Sequence, residues 1–487
     1  MRPRHGGLDQ LRILGTVMVL ILHSAIPYLL YPLPGLAWPV RHPHPSWAID
    51  RLFWLVELTV MPLFFALSGL VAEESLYRRG PRDFIEGRAR RLALPLMAAC
   101  VVVLPLDLYL WILGWVGSGE LAWVKLRSLK LPPPYDRAWG LGHLWYLQYL
   151  IVLSLGLVGW KTWGRPLLSR LGVRRPDALG RNVRSLFTAT ASGGIWRIPA
   201  ETFLLAAAVL YASPQVVIGF QHSFWPVVPK LLHAAVFFGL GCRLSACRRT
   251  LAADFTQGLS RDGEGTQGDN TCLPPLRRGG WGGRGSASDQ AKQLPSLTLP
   301  ARGGEGLGPV RGWVRSAVFL VLAAAAYLAA TAMIDRERSG AVQVLWHRPL
   351  LAVAMAASTT ITVWGLMLWA IDGESSQHQT PEWVGAIARA TFWVYLVHVP
   401  LVGLIQIDLR TTGWPAEGQF AAVFAGALAI SLASYRFAVR GTALERFLEG
   451  RLALSCSLAG WLPRGVRPGL RSDELNHACL PGSRVSL

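Results

Sequence analysis

Runs of about twenty apolar residues recur along this chain, and they constrain its fold more than any other feature. At 1.5 Å per residue, a run of that length crosses the hydrocarbon of a bilayer as a helix. Ten such runs fall at residues 11–31, 52–72, 92–115, 141–160, 200–220, 227–244, 313–334, 348–371, 384–406 and 419–439. Lipid satisfies no backbone N–H or C=O, so these runs close their hydrogen bonds internally. The expected fold class is an all-α polytopic membrane protein with about ten transmembrane helices. Pro214 and Pro226 interrupt the fifth and sixth runs, so one of the two could be broken or re-entrant. The first run is too long for a secretory signal, and Pro27-Tyr28-Leu29-Leu30-Tyr31 offers no small-residue cleavage site. It is expected to be retained as the first span.

Composition agrees with that reading. Of 487 residues, 52% are hydrophobic and only 16% charged, which is too apolar for a soluble chain of this size. The net charge of +19 would suggest nucleic acid in a soluble protein. Here it is explained by basic loops beside anionic lipid, so membrane lipid is an expected partner and nucleic acid is not. Arg78, Arg79, Arg82, Arg88, Arg90 and Arg91 follow the second run. Lys161, Arg165, Arg170, Arg174, Arg175, Arg181 and Arg184 follow the fourth. Arg243, Arg248 and Arg249 follow the sixth, and Arg436, Arg440 and Arg446 end the tenth. With ten spans all four groups fall on one side, and the positive-inside rule makes that side, and both termini, cytoplasmic. Lys125, Arg127, Lys130 and Arg137 dilute the pattern on the other side.

Residues 1–449 read as one membrane domain, interrupted at 245–312 by a Gly/Pro-rich stretch expected to be a disordered cytoplasmic insertion. Residues 450–487 read as a basic C-terminal tail. The six cysteines show neither metal spacing nor a disulfide framework, and Cys242 and Cys247 are expected to be free thiols. No metal site and no bound cofactor are expected.

Ionisable residues inside the runs are the candidates for chemistry. Arg12 and His23 share the first run. Eleven residues make about three turns, which puts both on one helix face about 16 Å apart along the axis. Arg12 alone could simply snorkel to the headgroups, and a lone His can be a packing residue. Met61-Pro62-Leu63-Phe64-Phe65 predicts a kink or break at Pro62, with Ser68-Gly69 as a small polar packing spot. Arg88 and Arg91 lead into the third run. From charge alone they set topology, but guanidinium groups also suit the phosphates of a nucleotide-like donor. Glu57, His143 and His398 are further candidates, and whether Glu57 lies near His23 is left open by the residues.

Together these pieces resemble a known family. They are Leu8-Asp9-Gln10-Leu11-Arg12 with His23 beyond, Met61-Pro62-Leu63-Phe64-Phe65 with Ser68-Gly69, and Arg88-x-x-Arg91-Leu92-x-x-Pro95. His143-Leu144-Trp145-Tyr146-Leu147 and Phe392-Trp393-Val394-Tyr395-Leu396-Val397-His398 complete the set. The set resembles the acyltransferase-3 family of integral membrane acyltransferases, and within it looks closest to the glucan-succinylating branch. The resemblance implies an enzyme of the bacterial inner membrane. It would move an acyl group, succinyl or acetyl, from cytoplasmic acyl-CoA to a hydroxyl of a periplasmic or cell-surface glucan or other carbohydrate. The family's first-span pair carries over to Arg12 and His23, with His23 as general base, and its R-x-x-R pair to Arg88 and Arg91. Ser68, Glu57, His143 and His398 are assigned to substrate binding. The competing expectation is a polytopic transporter whose intramembrane His and Arg form a substrate or proton path.

Overall fold

The computed structural model describes residues 6–127, 130–133, 135–170, 197–221, 223–264, 308–340, 346–375 and 381–451. Among them the chain is helical without strands, an all-α polytopic membrane protein. The long helices are α1 (Gly6–Ala25), α2 (Trp47–Arg88), α3 (Leu94–Gly117), α4 (Trp145–Gly159) and α5 (Arg197–Ala212). They continue with α6 (Val228–Glu264), α7 (Gly308–Arg338), α8 (His347–Ser375), α9 (Glu382–Leu409) and α10 (Ala416–Ser434), and a short α11 (Ala443–Leu448) follows. Eight stretches are long and apolar enough to cross a membrane, and one of them, Trp47–Gly117, holds both α2 and α3. The 16-residue α5 falls outside the eight.

Each expected run corresponds to one of these helices, with three differences. Pro62 leaves α2 unbroken. The break comes instead at Gly80, whose φ of 77° and ψ of 170° suit glycine, with Pro81 opening the next turn. The fifth run stops at Ala212, because Pro214 starts a separate turn over Gln215–Ile218. Residues 245–264 and 308–312, assigned to the insertion, continue α6 and begin α7. The rest of that stretch, the tail from 452 onward, and Arg174, Arg175, Arg181 and Arg184 lie outside the described residues.

The core is built around α1, which packs against α2, α8, α9 and α10. The α2–α6 interface is the most extensive, and glycine makes it close. A Cβ on Gly69 would collide with the Phe238 carbonyl, and one on Gly241 with the Ala66 carbonyl, so the two backbones touch directly. Cys242 Sγ donates to the Gly69 carbonyl at 3.3 Å across the same contact. Cys100, Cys242 and Cys247 are free thiols.

Ion pairs close the two ends of the bundle. At one end Glu73 pairs with Lys161 and with Arg249 (2.6 Å), while Glu74 takes Arg78 and Arg249, so the basic segments that follow the second, fourth and sixth apolar runs do meet. At the other end buried Asp50 pairs with Arg51 (2.9 Å) and Arg338 (3.2 Å), and Arg51 also reaches Asp335, tying α2 to α7. Helix α1 stops before Pro27, and Gln406 Nε2 donates to the carbonyls of His23 and Ser24 at 3.3 Å, caring for groups that the helix end leaves open. At the Arg-rich end Glu445 accepts from the Gly441 N–H (2.7 Å) and the Tyr435 hydroxyl (2.8 Å), which hold its carboxyl below the usual range and fix α11.

Gly241→Val should overpack the α2–α6 contact at a cost of about 1–3 kcal/mol. Thermal unfolding in detergent should show a lowered midpoint. Gly239→Val, where a Cβ meets open space, should leave the midpoint unchanged.

Candidate functional site

Helical spacing carries one face of α1 through the depth of the bundle. Arg12, Thr16, Val19, His23 and Ile26 follow the i, i+4, i+7, i+11, i+14 rhythm of a single face. Arg12 and Thr16 line a cavity of about 460 Å³ towards the Arg-rich end. His23 and Ile26 line a second, of about 120 Å³, towards the opposite end. Helix α2 divides likewise: Glu57 and Met61 face the second cavity, Ser68 and Val71 the first. Val19, Phe64, Tyr146 and Tyr395 line both, and so form the partition between them.

Three imidazoles converge beside this partition. The rings of His23 and His398 stand edge to face at 4.8 Å, and those of His398 and His143 at 5.2 Å. Their hydrogen bonds assign the tautomers, because a carbonyl can only accept. His23 Nδ1 lies 2.9 Å from the Val19 carbonyl, so it carries the proton and Nε2 keeps a lone pair. His398 Nδ1 donates to the Tyr395 carbonyl at 2.8 Å, which leaves its Nε2 to accept from His23 Nδ1 at 3.3 Å. His143 Nε2 donates to the Leu396 carbonyl at 3.3 Å, and its Nδ1 faces Asp107 Oδ2 at 3.4 Å, an ion-pair separation deep in the bundle. The Trp38 ring stands 6.1 Å from His23 and is anchored by Nε1 to Gln406 Oε1 at 2.8 Å.

The first cavity is strongly basic. Arg12, Arg88, Arg91 and Arg451 line it, against the single carboxylate of Glu449. Arg12 is braced by Asp9 at 3.0 Å, and Arg88 lies over the Phe84 ring at 5.1 Å. Arg91 Nε donates to the Glu449 carbonyl at 3.1 Å. Arg88 caps a π-helical turn, Ala89–Ala93, that contains Arg91 and whose wider winding sends Arg90 aside to Glu86 at 2.8 Å. Four guanidinium groups in one recess call for an anion.

The sequence candidates thus separate into two sets. Arg12, Arg88, Arg91, Ser68 and His398 line the basic cavity, while His23, Glu57 and His143 line the other. Ser68 Oγ is 2.8 Å from the Tyr146 hydroxyl, a hydrogen-bonding partner and no base. Glu57 interacts electrostatically with Lys230 across its cavity. Asp107, Lys230, His233 and Arg451 were not singled out from sequence. The first three carried the same signal that marked Glu57, an ionisable group inside an apolar run. Among the described residues no three His, Cys, Asp or Glu side chains are placed to hold a metal ion.

A model of the acyltransferase domain matches residues 5–436, nearly the whole membrane bundle. The chain belongs to the acyltransferase-3 family. Among relatives of this chain are the glucans biosynthesis proteins C of Salmonella typhi and Salmonella typhimurium, each 25% identical over 163 residues. The same protein of Salmonella paratyphi B matches at the same identity and length. These matches take in 33% of this chain and 40% of each relative, so the chain spans less than half the length of the curated relatives it matches. No solved structure gives a significant match.

Two cavities lying to either side of a partition should be reachable from opposite faces of the membrane. In a cysteine-free background, Ser68→Cys should react with a membrane-impermeant thiol reagent only from the Arg-rich side. Leu36→Cys, which lines the other cavity, should react only from the opposite side. Labelling of both from one side would contradict the two-cavity arrangement.

Proposed function

We propose that the chain transfers an acyl group from a cytoplasmic acyl-CoA to a hydroxyl of a glucan or another carbohydrate on the far side of a bacterial inner membrane. The observation that carries this reading is the division of the site into a basic recess and a second cavity, with His23 and His398 in hydrogen-bond contact beside the partition. The basic recess suits the phosphates of coenzyme A, with Arg88 and Arg91 on the phosphates and Arg12 nearer the thioester. The positive-inside rule puts this recess on the cytoplasmic side, where acyl-CoA is made. The acceptor would enter the other cavity.

His23 is the proposed general base. The Val19 carbonyl and His398 occupy its Nδ1–H, so the Nε2 lone pair can take a proton. The acceptor oxygen attacks the thioester carbonyl carbon as His23 Nε2 removes the hydroxyl proton. The C–S bond then breaks, and the thiolate leaves with that proton from the imidazolium. His398 is a positioning residue, because its Nε2 accepts from His23 and so favours the tautomer that the base needs. The Arg12 end of α1 is too far from His23 for both to act on one atom, which fits an extended donor threaded past Val19. Succinyl is the proposed acyl group, by likeness to the glucans biosynthesis proteins C, with acetyl as the rival.

His23→Ala should cut acyl transfer by about 10²–10⁴-fold while the protein still inserts and binds acyl-CoA. Transfer at the wild-type rate would remove His23 from the reaction. Arg12→Lys keeps the charge but loses the planar fork, and titration with a non-hydrolysable acyl-CoA should show weaker binding. An unchanged dissociation constant would count against donor contact at Arg12.

A further inference from the structure

The cavity that holds His23 also contains a polar cluster that the base mechanism leaves unused. Lys230 and His233, three residues apart on α6, face Glu57 of α2 across it. The Lys230 ammonium sits between two aromatic rings, 3.8 Å from the Trp145 centroid and 4.7 Å from that of Phe220. It interacts electrostatically with both Glu57 and His233. His233 is 7% exposed, and its Nε2 is buried without a hydrogen-bond partner. A buried imidazole nitrogen left open in this way costs stability unless a ligand completes it.

Charge separates this cavity from its neighbour. The basic recess has four arginines against Glu449. Here the one ammonium, Lys230, shares the cavity with the carboxyls of Glu57 and Asp107, so there is no positive surplus to draw an anion. What remains is an aromatic wall with one ammonium, one carboxylate and one open imidazole. A pyranose ring matches that lining: its C–H face packs on aromatic rings, while adjacent hydroxyls both donate and accept hydrogen bonds. We propose that Lys230, Glu57 and His233 form the subsite that seats the acceptor, and that this subsite selects an uncharged sugar ring over an anionic one. The proposal rests on the acyl-transfer reading above and names the acceptor side of that same site. Glu57 would accept from one hydroxyl and Lys230 would donate to its neighbour. That holds the ring while a third hydroxyl reaches His23 Nε2.

The test uses the full chain in proteoliposomes with radiolabelled succinyl-CoA or acetyl-CoA. The two acceptor probes are a neutral gluco-oligosaccharide and the same oligosaccharide bearing a glucuronate. Wild type should favour the neutral probe at least about tenfold in kcat/KM. Lys230→Met and the isosteric Glu57→Gln should each raise the acceptor KM by about ten- to a hundredfold, the loss expected for a hydrogen bond to a charged group. Acyl-CoA binding, measured separately, should stay at the wild-type dissociation constant in both variants, which also reports that they fold. An unchanged acceptor KM in both variants, or a wild-type preference for the glucuronate probe, overturns the assignment. So does a Lys230→Met variant that keeps its acceptor KM but trades succinyl for acetyl preference, because Lys230 would then read the acyl chain. Failure of the underlying reading looks different: wild type then transfers neither acyl group to either probe.

Discussion

The hydrogen bond from His23 Nδ1 to the Val19 carbonyl decides what the rest of the site can do. It ties a titratable ring to its own helix, fixes which nitrogen carries the proton and leaves Nε2 open. His398 has only one compatible arrangement beside it, because its own Nδ1 is committed to the Tyr395 carbonyl. Both bonds are local, i to i−4 on α1 and i to i−3 on α9, so each ring is set by its helix before the helices meet. Packing of α1 against α9, helped by Gln406 on the last carbonyls of α1, then brings the rings into register. Ionisable groups inside a membrane bundle are costly unless partnered, and such bonds partner them.

From that pair the division of labour along the bundle follows. Each of α1, α2 and α9 presents one face to both cavities, and α1 and α2 change chemistry where they pass the partition. On α1 the change runs from Arg12 to His23, and on α2 from Ser68 to Glu57. In the proposed reaction, donor and acceptor of unlike charge approach one point without sharing an entrance. The ion-pair networks at the two ends hold this geometry from outside: Glu73 with Lys161 and Arg249 at one end, Asp50 with Arg51 and Arg338 at the other.

Much of this was legible in the residues. The apolar runs mark the helices because lipid enforces internal hydrogen bonding, and the shared face of Arg12 and His23 follows from helical pitch alone. The Arg clusters were read as lying on one side, and the contacts among Arg78, Lys161 and Arg249 with Glu73 and Glu74 do bring those segments together. Distance between helices was not legible. Nothing local says that α9 lies on α1, so the His23–His398 contact could not be read, nor could the sharing of one cavity by Glu57 and Lys230. Pro62 misled for a physical reason: a proline inside a tightly packed span is held helical by its neighbours, whereas Gly80, ahead of Pro81 and near the bundle end, is free to turn. Asp107 and Lys230 stand as charges within apolar runs, with no motif around them to single them out.

The proposed transfer requires donor and acceptor to reach one another across the membrane through the His23–His398 meeting point. The most direct measurement is vectorial transfer in proteoliposomes of defined protein orientation, with radiolabelled acyl-CoA and a membrane-impermeant oligosaccharide each confined to one side. Labelled oligosaccharide should form only when acyl-CoA is on the Arg-rich side and the oligosaccharide is on the other. Equal labelling with both substrates on the same side would contradict it.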